Sequence, residues 1–167
     1  GLARHAEDAL DELQETAFAV VTSLLFSDLP AVKQRLEPLA LTVLQSILQF
    51  IELAAYKCER PSGENASECL AALAEVSNPA RQAIFQDAVL HKVLAFGIYM
   101  PGRDSLAKLY IIQVVQRVLT TSPTAAAAGI LICQDPSIIQ KVTELLVEAC
   151  QLADLVLISA ALDAFYD

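Results

Sequence analysis

The stretches Ile84–Val93, IFQDAVLHKV, and Ile132–Val142, ICQDPSIIQKV, are near copies that start 48 positions apart. Each opens with isoleucine, one variable residue and Gln-Asp, then runs through apolar residues to Lys-Val. Self-similarity at a spacing of this size constrains the fold more than any composition figure. A unit that recurs in this way is one supersecondary piece that cannot bury its apolar side alone and must stack on its neighbours.

The punctuation supports the same idea. Prolines recur just after short breaks, at Pro30, Pro38, Pro79, Pro123 and Pro136. Proline is tolerated at the first helical position because its missing N–H is an orphan there anyway. Between the breaks, apolar residues recur at three- and four-residue steps, which predicts helices and no strands. Asp8–Phe26 reads as the first, with Leu10, Leu13, Ala17, Val20, Val21, Leu24 and Leu25 as its core stripe. Triplets of a short, a medium and a longer helix follow. The spans are Pro30–Leu36, Pro38–Tyr56 and Ala66–Ser77, then Ala80–Gln86, Ala88–Ile98 and Leu106–Thr121, then Thr124–Cys133, Ser137–Cys150 and Ala153–Tyr166. Asn65 or Ser67 is expected to cap ASECLAALAEVS, and Asp104 or Ser105 to cap the helix after MPGRDS. ERPSGEN is the clear polar loop, and PTAAAAGIL is expected to pack tightly because its side chains are small.

Repeats of about 40–47 residues built from two or three helices are the signature of armadillo and HEAT arrays. SNPARQAIFQDAVLHKVL is similar to an armadillo-repeat junction, and ECLAALAEVS resembles the end of an armadillo third helix, with Leu73 and Val76 expected to be buried. The resemblance spans Pro30 to Asp167. It implies an all-α, right-handed α-solenoid of about three three-helix repeats. Residues 1–29 would be an acidic helix acting as a cap or as the end of a preceding repeat, and 30–167 the repeats. In that family, third helices line a groove that holds an extended peptide. Registering the third helices places Ala71 and Glu75, then Gln113 and Arg117, then Ala160 and Ala164, at the groove positions. Glu75, Arg117 and Ala164 then lie 42 and 47 positions apart. Lys108 is expected on broadly the same face as Gln113 and Arg117. The chain has no Trp, and no Asn at these positions, so the Asn clamps of classical nuclear-import receptors are absent.

Charge and chemistry narrow the function. The net charge of −9 is opposite to what phosphate neutralisation needs, so no nucleic-acid partner is expected, and a basic or apolar protein partner is easier to accommodate. Glu7, Asp8, Asp11, Glu12 and Glu15 crowd the first predicted helix, either as carboxylates suited to a helix N-terminus or as a partner-binding face. Cys58, Cys69, Cys133 and Cys150 form no C-x-x-C pair, and His5 and His91 are the only histidines, so no metal or cofactor is expected. Cys58 and Cys69 flank the polar loop as a disulfide or as reduced thiols. Asn65-Ala66-Ser67 matches a glycosylation sequon, a pattern short enough to arise by chance. There is no G-x-S-x-G, no G-x-x-x-x-G-K-[ST] and no G-x-G-x-x-G, so an enzyme is not expected.

PLALTVLQSILQFIELAAY carries Gln45, Gln49 and Glu52, which is wrong for a membrane span. No signal-peptide pattern opens the chain, so the cytoplasm or nucleus is expected. The Gly-Leu start and the helical pattern at DAFYD suggest a piece of a longer protein. A mean hydropathy of +0.48 suggests apolar surface awaiting a partner or a second copy, so a homodimer is also compatible. The expected function is a non-catalytic scaffold or adaptor domain that binds a peptide or helix on its groove or an apolar face. The alternatives are a compact bundle holding an apolar ligand or lipid, and a homodimerisation domain.

Overall fold

The computed structural model describes residues 1–56, 63–99, 105–121 and 124–166. They form α1 (Leu2–Leu25), α2 (Pro30–Leu36), a 3-10 turn (Glu37–Leu39), α3 (Ala40–Tyr56), α4 (Glu64–Val76), α5 (Asn78–Ile84), α6 (Asp87–Tyr99), α7 (Ser105–Thr120), α8 (Thr124–Gln134) and α9 (Pro136–Tyr166). Among the described residues there is no strand.

The helix boundaries follow local chemistry. Leu29, in extended conformation before Pro30, closes the connection out of α1, as expected of a residue that precedes proline. Ser77 caps α5 by accepting the Ala80 N–H, with Pro79 next to the helix start. Asp135 does the same for α9, accepting the Ser137 N–H and hydroxyl just before Pro136. Two boundaries differ from the sequence expectation. Pro38 sits in the 3-10 turn and not at the start of α3. The helices expected at Ser137–Cys150 and Ala153–Tyr166 are one unbroken 31-residue helix, because EACQLADL contains neither Pro nor Gly nor a residue placed to cap. The last triplet is therefore a pair of helices.

Packing forms two rows. In one, α4 lies between α1 and α7; in the other, α6 lies between α3 and α9. α6 and α7 also meet, and Gly97 allows it: a Cβ there would stand 3.0 Å from the Ile111 side chain. The core runs through both rows, with Ile47, Leu70, Leu73, Ile84, Leu94, Ile111, Ile138 and Leu145 essentially sealed from solvent. Each such side chain contributes roughly 1.5–3 kcal/mol by leaving water. Phe18 of α1 and Phe50 of α3 meet edge to face at 5.6 Å, the arrangement the aromatic quadrupole favours.

Three packing expectations are corrected. The side of α1 that faces inward is Asp11, Glu15, Phe18, Thr22 and Leu25, whereas Leu10, Leu13, Ala17, Val20 and Leu24 are exposed. In α8 Ala128 is fully buried but Ala126, Ala127 and Gly129 are exposed, so its small residues pack tightly on one side only. Val76, expected to be buried, lies at the exposed end of α4.

Candidate functional site

The predicted groove positions fall on α4, α7 and the far part of α9. Glu75, in the last turn of α4, and Arg117, in the last turn of α7, meet at 3.3 Å across the seam between these helices. Both are about half exposed, so the pair lies at the surface. Gln113, one turn before Arg117, is half-buried, and Ala71, one turn before Glu75, is buried. The side chains of Ala160 and Ala164 lie outside the described residues.

Lys108 does not share this face. It is 2% exposed and donates to the Gly97 and Ile98 carbonyls and to Glu148 Oε2 at 2.7 Å. The ammonium thus satisfies carbonyls in the last turn of α6, where a cation is favoured. A half-turn miscount explains the difference: Lys108 and Arg117 are nine residues apart, which at 3.6 residues per turn places them on opposite sides of a helix.

α4 is held at its two ends by charges from other helices. At its start, the Asn65 N–H donates to Glu15 Oε2 of α1 at 3.0 Å. At its end, Arg81 Nη1 of α5 donates to the Ala74 and Glu75 carbonyls at 2.8 and 3.0 Å. An anion at the helix start and a cation at its end each complement the macrodipole. Asn65 and Ser67 were the residues expected to cap this helix, yet the Ser67 hydroxyl turns back to the Gly63 carbonyl. The acids of α1 also need reinterpretation. Its helix begins at Leu2, so Glu7 to Glu15 lie beyond the first turn and the helix-terminus explanation does not hold for them.

The two Gln-Asp repeats meet in space. His91 Nε2 is 2.7 Å from Asp135 Oδ2 and 3.5 Å from Asp87 Oδ1, and Lys141 Nζ is 2.8 Å from His91 Nδ1. Lysine only donates, so Nδ1 accepts and the imidazole proton sits on Nε2, aimed at Asp135. The Ser137 hydroxyl, and next the His91 contact, hold the Asp135 carboxyl below its ordinary range. Asp87, His91 and Asp135 could offer three metal-ligand atoms within 4.8 Å of one another. A metal on Nε2 would have to displace that proton and would leave a dication beside the Lys141 ammonium. The arrangement suits a hydrogen-bonded clasp between α6 and α9 better than a metal centre. The two hydrogen-bond partners of His91 lie 44 and 50 residues further on, and Asp87 stands one turn earlier on its own helix.

Cys69, Cys133 and Cys150 are free thiols. Burial pushes the Cys69 thiol up to about 11. Cys58, Asp104 and the Ser105 side chain, expected as a thiol or disulfide partner and as caps, lie outside the described residues.

The surface that sequence reasoning assigned to the core is the exposed side of α1. Ala3, Ala6, Leu10, Leu13, Ala17, Val20 and Leu24 follow one another at strict three- and four-residue steps, and all are exposed. Leu13 is 65% exposed and Val20 56%. That spacing is the seam of a helix that packs against another helix, and it was legible in the sequence. Among the described residues, no helix is long and apolar enough to cross a membrane. Searches against protein-family models, curated proteins and solved structures found no match for this chain.

Proposed function

We propose that this chain is a non-catalytic interaction module, an α-solenoid of armadillo-like units, that receives a basic amphipathic helix of a partner protein along α1. The observation that carries the reading is the exposed heptad-spaced seam on α1. A seam of this period fits a helix packed nearly along it, knobs into holes. Asp8 and Glu12 are exposed on the same helix, and the chain carries −9 overall. Basic residues flanking the incoming apolar stripe would be attracted, and a second copy of this acidic chain would be repelled. The two rows of helices support the solenoid element, because equivalent helices of successive triplets lie side by side.

The test is a titration with two labelled helical peptides that share one leucine seam, one flanked by lysines and the other by glutamates. The lysine peptide should bind in a salt-sensitive manner, and the glutamate peptide should not. Leu13→Glu with Val20→Glu should abolish binding without loss of helicity, since both positions are exposed. Sedimentation equilibrium runs beside it. A dimer that the same double variant dissociates would replace the partner helix with a second copy. Solution scattering from a compact sphere would remove the solenoid element.

A further inference from the structure

A cavity of about 510 Å³ lies where the end of α1, α2 and the corner between α4 and α5 meet. Leu25, Leu36, Ala40 and Val76 give it apolar walls, and Lys33, Asn78 and Arg81 supply polar groups. This size and this mixture of apolar wall and few polar groups are typical of small-molecule sites.

Arg81 is the informative residue. Its side chain is 7% exposed, yet among the described residues no carboxylate pairs with it. One of its nitrogens serves the carbonyls that end α4, and its buried Nε–H has no partner. A buried guanidinium facing only carbonyl dipoles is costly, and an added anion would relieve that cost. Lys33 adds a second cation at the exposed rim and forms no ion pair among the described residues; Glu37 is the one acid in the lining. Asn78 Oδ1 is buried and also unpartnered, so its amide can turn to donate.

We infer that this cavity binds a small carboxylate with an apolar body. Its head would accept from Arg81 Nε and Asn78 and sit near Lys33, and its body would lie along Leu25, Leu36, Ala40 and Val76. The site is separate from the α1 seam and does not depend on what docks there.

The probe is decanoate, titrated calorimetrically into the whole chain below its micelle concentration, beside decylammonium. Saturable binding at one site is expected, with decylammonium at least about tenfold weaker, since a cation would meet two like charges. Lys33→Glu should weaken decanoate by about tenfold, and Val76→Trp should block it by filling the space. Both positions are exposed enough for the variants to fold, which circular dichroism checks. Leu13→Glu with Val20→Glu should leave decanoate binding unchanged. Equal affinity for the two amphiphiles, binding untouched by Val76→Trp, loss of binding on the α1 variant, or no saturable binding would each overturn the proposal.

Discussion

α1 and α4 are neighbours in one row, both rich in Ala and Leu, and they meet opposite fates. α4 is sealed on nearly every side: Ala66, Cys69, Leu70, Ala72, Leu73 and Ala74 are all buried, since α1, α3, α5 and α7 surround it. α1 turns two acids and a threonine inward beside Phe18 and Leu25, and leaves Leu10, Leu13 and Leu24 outward. Apolar content alone does not decide burial. What decides it is how many neighbours a helix has and what its neighbours need. α4 begins against α1 and needs an acceptor there, so α1 presents Glu15 to it.

The widest separation between the two helices should appear when leucines are truncated. Leu73→Ala in α4 should cost about 3 kcal/mol through lost burial and an unfilled cavity. Leu13→Ala in α1 should change stability by less than about 0.5 kcal/mol, as for other exposed positions. Urea denaturation of the two variants measures the contrast, and equal losses would erase it. Next in size is Lys108→Met, which keeps the stem but leaves the carbonyls at the end of α6 and the Glu148 carboxylate without their cation. A loss of about 2 kcal/mol is expected, read as a lower urea midpoint. If this variant is as stable as the parent, the inward cation is dispensable.

Glu15→Gln asks how firmly α1 grips α4. Weakening a charge-assisted cap at a helix start should cost about 1 kcal/mol. Hydrogen exchange at the first N–H groups of α4 should speed up more than exchange elsewhere in that helix. For the exposed pair, a double-mutant cycle on Glu75 and Arg117 should give a coupling of about 0.5 kcal/mol or less, because solvent screens it. A larger value would mean that the seam between α4 and α7 is less wet than its exposure implies. The last test moves to the other row. Asp135 has a depressed carboxyl, so its stabilising contribution is fully present above the ordinary carboxylate range. That contribution is lost as pH falls through the depressed value. Stability measured from neutral pH down into the acid range should therefore fall less steeply in Asp135→Asn than in the parent.

Much of the helical grammar was legible because it rests on local chemistry: Ser77 before Asn-Pro, Asp135 before Pro136 and the proline at the head of α2. The side-by-side placement of Glu75 and Arg117 also follows from a spacing of 42 residues. What was not legible depends on distant partners. The inward turn of Glu15 makes sense only once the start of α4 is beside it. Lys108 reads as a surface lysine until the end of α6 and Glu148 appear around it. The unbroken run of α9 was missed for another reason. The triplet pattern suggested a break that no residue in EACQLADL enforces. The hydrogen-bond partners of His91, Asp135 and Lys141, lie in the second copy of the repeated stretch, and the shared Gln-Asp is the clue to them.

The bracketing of α4 has a consequence for how such a chain could change over generations. Arrays of stacked helices commonly lengthen or shorten by whole-unit duplication and deletion. That is tolerated when each unit carries its own ends. Here the start of α4 is completed by Glu15, 50 residues upstream, and its end by Arg81 of α5. A unit spliced between α1 and α4 would part Glu15 from Asn65 and leave a buried carboxylate facing the wrong helix. This joint is therefore one at which an inserted helical unit would not be readily tolerated. Fragments cut there should be less able to fold than their helical content alone would suggest.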